Sequence, residues 1–215
     1  MTSRRALREE VVRLLAAGDF AGLEALAGRQ AGVPELLLQF LYDPGDLLQW
    51  RAVEGLGRLA AAQPRQVSKV IGRLLWLLNE DSGSFGWGAA AALGEIGRGQ
   101  VALVADIIPM FRGFLEEKFS REAALWGLGR LAEGHPELLG EVLPLVPPLL
   151  EEQDPQVRAL ASWCLGKAGY REAAAALEAL LADDRAALLY DGGELRRTTV
   201  AQVAREALTA LAAMA

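Results

Sequence analysis

Four segments of this chain superpose without gaps on a Leu-Gly pair, and that spacing limits the possible folds more than any other feature. The segments are Trp50-Arg-Ala-Val-Glu-Gly-Leu-Gly57, Trp87-Gly-Ala-Ala-Ala-Ala-Leu-Gly94, Glu122-Ala-Ala-Leu-Trp-Gly-Leu-Gly129 and Ala159-Leu-Ala-Ser-Trp-Cys-Leu-Gly166. Their leucines stand at 56, 93, 128 and 165, so successive copies lie 37, 35 and 37 residues apart. An alanine precedes each leucine by four positions: Ala52, Ala89, Ala124 and Ala161. Such a period belongs to stacked supersecondary units, each of which needs its neighbours to bury its apolar face. The 52% hydrophobic content comes largely as Ala and Leu, both strong helix formers, so the stacked units are helical.

Between the Leu-Gly helices the pattern predicts further apolar helices, near 65–79, 101–117, 136–152 and 171–183. Pro109 and Pro144 each follow a repeat leucine by 16 residues, a place taken by Gly72 after Leu56, and a proline there predicts a recurrent kink. Asp43, Asp81 and Asp154 stand just before Leu-Gly helices, where a carboxylate caps free N–H groups, and Asp191 recurs before the last helix. Residues 4–17 and 20–29 read as a helical hairpin broken at Gly18-Asp19. Leu189-Tyr-Asp191 echoes Leu41-Tyr-Asp43 at a distance of 148 residues, four periods of 37. The expected organisation is a single domain over 1–215. It comprises a capping hairpin at 1–32, core repeats at 33–183, then a loop at 184–193 and a closing helix at 194–213 within a cap spanning 184–215.

The run Asp154-Pro-Gln-Val-Arg158, followed by Ala161 and Leu165-Gly166, resembles the HEAT-like repeat named after phycobilisome lyases. The resemblance covers about residues 33–182. Leu78-Asn-Glu-Asp-Ser-Gly-Ser-Phe-Gly-Trp-Gly88 is similar to a feature of an uncharacterised bacterial family of such proteins. The resemblance implies an all-α protein, a right-handed α-solenoid of about five HEAT-like helical hairpins, in which the Leu-Gly helix lines a concave surface. It implies no known activity.

A helix turns about 100° per residue, so positions two and six before the repeat leucine fall about 160° and 120° away from it. Those positions hold Trp50, Trp87, Trp126 and Trp163, four of the five tryptophans. With Arg51, Glu54, Arg58, Glu95, Glu122, Arg130 and Lys167 they predict an aromatic, amphoteric groove. Its four cations against three anions give +1 on a chain of formal charge −6. Aromatic residues and arginine in a concavity suit a protein or peptide partner. The small neighbours Gly55, Ala92, Gly127 and Cys164 allow the opposite reading, in which the tryptophans fill space between adjacent helices. Trp76 has no repeat partner on this face and is expected in the core.

No catalytic constellation stands out. His135, the only histidine, aligns with Gln63 and Gln100 in a turn before Pro136, and one His with one Cys makes a poor zinc site. Cys164 takes a slot held elsewhere by Gly or Ala, which points to packing rather than reactivity. The loop Asn79-Glu-Asp-Ser-Gly-Ser84 lacks EF-hand spacing and reads as a cap for the helix of Trp87. The expected function is a non-enzymatic scaffold or adaptor that binds a protein or peptide on the tryptophan face, with no cofactor and no metal. One alternative is a HEAT-like alkylpurine DNA glycosylase, since Trp50 and Glu54, or Trp126 and Arg130, share a helical face. The net charge of −6 opposes general nucleic-acid binding. The other alternative is a bilin- or cofactor-handling chaperone. The first ten residues lack a secretory apolar core, and Leu138–Leu150 is broken by Glu141 and three prolines. With the lone cysteine, these features lead to the expectation of a soluble cytoplasmic protein without a membrane span.

Overall fold

Ser3, Gly18 and Asp19 punctuate the first two helices. The Ser3 hydroxyl accepts from the Ala6 amide at 3.1 Å and starts α1 (Arg4–Ala17). Gly18 ends it in the left-handed region at φ 65°, where a side chain would be strained. The Asp19 carboxylate then accepts from Gly22 N–H at 2.8 Å and opens α2 (Phe20–Arg29). The structure, a computed structural model, describes residues 3–79 and 88–214. The chain, expected to be one repeat domain, divides into two compact units, Met1–Ala105 and Asp106–Ala215.

In the first unit, α1 and α2 lead into the short α3 (Val33–Leu37), then α4 (Leu47–Ala62), α5 (Pro64–Leu78) and α6 (Ala89–Gly99). The Leu-Gly helices α4 and α6 pack on each other, with α1 to α3 and α5 around α4. Their contact depends on Gly57: a Cβ there would meet Glu95 Cγ at 2.5 Å and the Glu95 carbonyl at 2.6 Å. The cap of α4 is Asp46, which accepts from Leu48 N–H at 2.9 Å, and not Asp43, whose carboxylate takes Gly45 N–H instead. Asp81, Trp87 and most of the Asn79–Ser84 loop lie outside the described residues.

The second unit contains α7 (Phe111–Glu116), α8 (Lys118–Gly134), α9 (Pro155–Lys167), α10 (Ala174–Ala179), the strands β1 (Ala186–Asp191) and β2 (Glu194–Thr199), and α11 (Val200–Ala213). Asp154 caps α9 by accepting from Gln156 N–H at 2.8 Å. The stack α8, α9, α11 again closes over glycine: a Cβ on Gly166 would meet Ala207 Cα at 2.8 Å. Gly57, Gly129 and Gly166, each the Gly of a Leu-Gly pair, are thus where one inner helix meets the next.

Two expectations fail here for identifiable reasons. The helices expected over 101–117, 136–152 and 171–183 are short pieces, several of them 3-10 turns, such as Ala105–Met110, Leu143–Leu145 and Pro147–Glu151. Proline does more than kink the first two of these segments: Pro109, Pro144, Pro147 and Pro148 remove donors that a continuous α-ladder needs. The closing segment is also different. In place of a loop at 184–193 and a helix from 194, β1 and β2 form an antiparallel hairpin, and α11 begins only at Val200. Gly192 and Gly193, at φ 60° and 86°, supply the two positive dihedrals that a tight hairpin turn requires. Asp191 sits beside that turn, and Thr199 caps α11 by accepting from Gln202 N–H at 3.2 Å. The hairpin's Leu189 and Tyr190 are buried against the unit.

The architecture is that of an all-α solenoid carrying one β-hairpin. No helix among the described residues is long and apolar enough to cross a membrane.

Candidate functional site

Three of the predicted groove tryptophans lie among the described residues, and none of the three faces solvent. Trp50 is 6% exposed, Trp126 1% and Trp163 5%. The prediction assumed one core face per inner helix, but these helices are packed on several sides. In the second unit α9 lies between α8 and α11 with β1 also against it, and every residue from Val157 to Gly166 is buried. A direction 120–160° from the repeat leucine therefore meets the next helix rather than water. Trp76, expected in the core, is 45% exposed, with the Arg73 guanidinium 3.7 Å from its ring centroid.

Burial recasts the predicted groove residues of the first unit as structural. Trp50 donates from Nε1 to the Pro44 carbonyl at 2.9 Å. Arg51 is buried and donates to the Leu15 and Ala16 carbonyls at 3.0 and 2.7 Å, which satisfies the C-terminal end of α1. Glu54 is buried beneath Arg58 at 3.0 Å, and Arg58 also lies over the Phe20 ring. Glu95 is fully buried and held by the Arg98 fork.

In the second unit the predicted residues do come together. Trp126 and Trp163 stack with centroids 5.9 Å apart and planes 6° from parallel. Gly129 makes the stack possible, because a Cβ there would collide with the Cζ3–Cε3 edge of Trp163. Arg130 lies over Trp126 at 5.5 Å and Lys167 over Trp163 at 5.3 Å, so cations cover the aromatic pair. Glu133 joins them, with Arg130 at 2.8 Å and Lys167 at 2.7 Å, and Lys167 also reaches Asp191 at 3.6 Å. Trp126 Nε1 donates to the Tyr190 carbonyl at 2.8 Å, tying the hairpin to the stack. Trp163 Nε1 is buried with no acceptor among the described residues. Beside this pair opens a cavity of about 190 Å3 lined by Trp163, Gly166, Lys167, Asp191, Val203, Glu206, Ala207 and Ala210.

Against that geometry, the comparisons point one way. Residues 119–168 match the model of the HEAT-like repeat. Two crystal structures of engineered proteins share the fold. One has a TM-score of 0.56 and 20% identity, covering 97% of this chain and 90% of its own. The other has a TM-score of 0.53 and 19% identity, covering 97% and 53%. The chain has the fold of a helical repeat protein and carries a HEAT-like repeat over residues 119–168. A 65-residue stretch of the repeat protein is 40% identical to an uncharacterized protein of Archaeoglobus fulgidus, covering 30% of this chain and 34% of that one. The chain thus matches about a third of that relative's length.

Within this repeat protein, sequence reasoning missed Glu133, Asp191 and Glu206, because two of them lie on elements that were not foreseen in their actual form. The Gly-Gly turn was the signal for the hairpin that brings Asp191 to Lys167. Burial pushes the Cys164 thiol up to about 12, so it carries no thiolate at neutral pH. Burial, and then the nearby Asp154 carboxylate, push the Glu122 carboxyl upwards.

Proposed function

We propose that this protein is a non-enzymatic interaction scaffold that grips a partner protein or peptide at the second unit's tryptophan pair. The observation that carries the reading is the cavity beside Trp163. Its lining combines apolar groups of Trp163, Val203, Ala207 and Ala210 with the charges of Lys167, Asp191 and Glu206. An apolar floor inside a polar rim of both signs is how peptide side chains are anchored and oriented. At about 190 Å3 the cavity suits a single side chain rather than a bilin. The role expected of open tryptophan rings passes to this cavity and its cover of Arg130 and Lys167, while Trp50, Arg51, Glu54, Arg58 and Glu95 hold the first unit together. The finer likeness to phycobilisome-lyase repeats of bacterial proteins, and a cytoplasmic setting, rest on the repeat motif and the single buried cysteine.

Panning a displayed random-peptide library on wild type and on Ala210→Phe tests the reading. Ala210 is half-exposed at the cavity wall, so the phenyl ring plugs the space with little disturbance of the helix. The expected result is a family of peptides sharing one apolar anchor and lost on the plugged variant. Equal selection by both proteins, or no selection by either, defeats the proposal.

A further inference from the structure

In the first unit, α5 presents a solvent face unlike any other described helix. Its fifteen residues include Arg65, Lys69 and Arg73 and no acid, on a chain of net charge −6. All three cations are exposed, as are Ser68, Gly72 and Trp76 between and beyond them. Beside this face runs a groove of about 530 Å3, whose lining includes Arg4, Glu35, Leu38, Tyr42, Lys69 and Arg73. Leu38 and the buried Val70 give it an apolar floor. Two of the chain's exposed large hydrophobic residues, Tyr42 at 44% and Trp76 at 45%, flank the same region.

The charge balance is what makes this groove specific. Arg4, Lys69 and Arg73 against Glu35 leave it at +2, and none of the three cations forms an ion pair with a described residue. Other arginines, such as Arg5, Arg58, Arg98 and Arg121, are matched with carboxylates at about 3 Å or less. Arg73 instead lies over Trp76, which holds its guanidinium beside an exposed aromatic face rather than beside an acid. Cations without an acid partner among the described residues, above an aliphatic floor, complement a ligand that carries both carboxylates and apolar side chains.

We propose that this groove docks a short acidic segment of a partner protein. Its carboxylates meet Arg4, Lys69 and Arg73, one apolar side chain rests on Leu38 and Val70, and its next residues lie against Trp76. A nucleic acid is the less favoured occupant. Three cations beside Glu35, on a net negative chain, neutralise few phosphates. The groove lies in the first unit and is separate from the cavity of the second, so the two readings stand or fall independently.

The test uses the whole chain and fluorescence anisotropy. The probe is a fluorescein-labelled peptide of glutamates interspersed with leucines, compared with its glutamine counterpart and with a single-stranded oligonucleotide of equal charge. The expected result is binding of the glutamate–leucine peptide that weakens about tenfold or more for the glutamine version, for Lys69→Glu/Arg73→Glu, and in high salt. Arg112→Glu, an exposed charge of the second unit, leaves it unchanged. Circular dichroism checks the fold of each variant, and the milder Lys69→Gln/Arg73→Gln replaces the reversal if that fails to fold. Absence of binding up to millimolar peptide overturns the proposal, as does equal binding by the double variant. Tighter binding of the oligonucleotide assigns the groove to nucleic acid instead. Self-association of the chain that the double variant abolishes assigns it to a second copy; either result overturns the acidic-partner reading.

Discussion

Tryptophans on inner and outer helices have opposite fates. In the second unit Trp126 and Trp163 are stacked and buried between neighbouring helices; in the first, Trp76 stands on the surface beside Arg73. The difference comes from the element that carries each ring. Inner Leu-Gly helices have packed neighbours along the stack, so even their polar-looking sides are interior. α5 has packing on one side only, and a large ring beyond its core stripe meets water. The same residue type is thus packed in the interior on one helix and open to solvent on another.

Truncating the rings should expose this contrast most strongly. Trp126→Ala removes a fully buried ring, its stacking partner's support and the hydrogen bond to Tyr190, and is expected to cost roughly 3–5 kcal/mol. Trp76→Ala is expected to cost no more than about 0.5 kcal/mol, as befits an exposed site. Urea denaturation of both variants checks this, and similar losses would remove the contrast.

The hairpin that covers Trp126 has its own anchor. Arg158 is buried and donates from Nε to Asp183 at 2.9 Å, while Arg185 Nε donates to the same carboxylate at 2.8 Å. These bonds, the Arg185 one foremost, hold the Asp183 carboxyl at about 2, below its ordinary 3.8. A depressed acid contributes stability in full above its unfolded value and loses it as pH falls through the folded one. The hairpin's anchorage should therefore be intact above about pH 4 and fade between there and about pH 2. Asp183→Asn leaves Arg158 buried without its counter-charge, at an expected loss of about 3 kcal/mol at pH 7. It should also flatten the acid limb of stability against pH, and an unchanged limb would mean that other carboxylates set it.

Glycines sharpen the comparison at a smaller scale. Gly129→Ala places a methyl group against the Trp163 ring and should cost about 1–3 kcal/mol through forced repacking. Gly72→Ala, on the exposed face of α5 with nothing within 4 Å of the new atom, should stabilise by about 0.5–1 kcal/mol. Thermal melts of the pair should move in opposite directions.

The helical-repeat fold was legible because it is written in a period. Leu56, Leu93, Leu128 and Leu165, each with its alanine and glycine, required stacked helices whatever the rest of the chain did. The site was legible only as a set of residue types. A helical wheel assigns one buried direction, and nothing in Trp126 or Trp163 alone says that α9 has neighbours on several sides. The run Ala89-Ala-Ala-Ala92, with no polar side at all, carried that information for α6. The hairpin was hidden for a different reason. Asp191-Gly-Gly-Glu194 is a hairpin-turn signal, but the repeat register made 184–193 a loop and started a helix at 194, and the register prevailed over the local chemistry. Trp76 was misplaced because only its lack of a repeat partner was weighed, and the cations Arg65, Lys69 and Arg73 on its helix were not.

The finest difference lies inside the stacked pair. Trp126 Nε1 donates to Tyr190 at 2.8 Å, whereas Trp163 Nε1 is buried without an acceptor among the described residues. Replacing each by phenylalanine removes similar ring volume, so the transfer and cavity losses nearly cancel in the comparison. What remains is the N–H. Its loss at Trp126 deletes the bond to the Tyr190 carbonyl, a cost of about 1 kcal/mol, whereas its loss at Trp163 removes a donor with no acceptor among the described residues. Trp126→Phe is therefore expected to be less stable than Trp163→Phe by about 1 kcal/mol or more. The reverse order would mean that the Trp163 N–H is satisfied by water or by a bound group at the cavity. Because the cavity is where a partner's carbonyl would arrive, the Trp163→Phe measurement repeated with a selected peptide then decides which of the two it is.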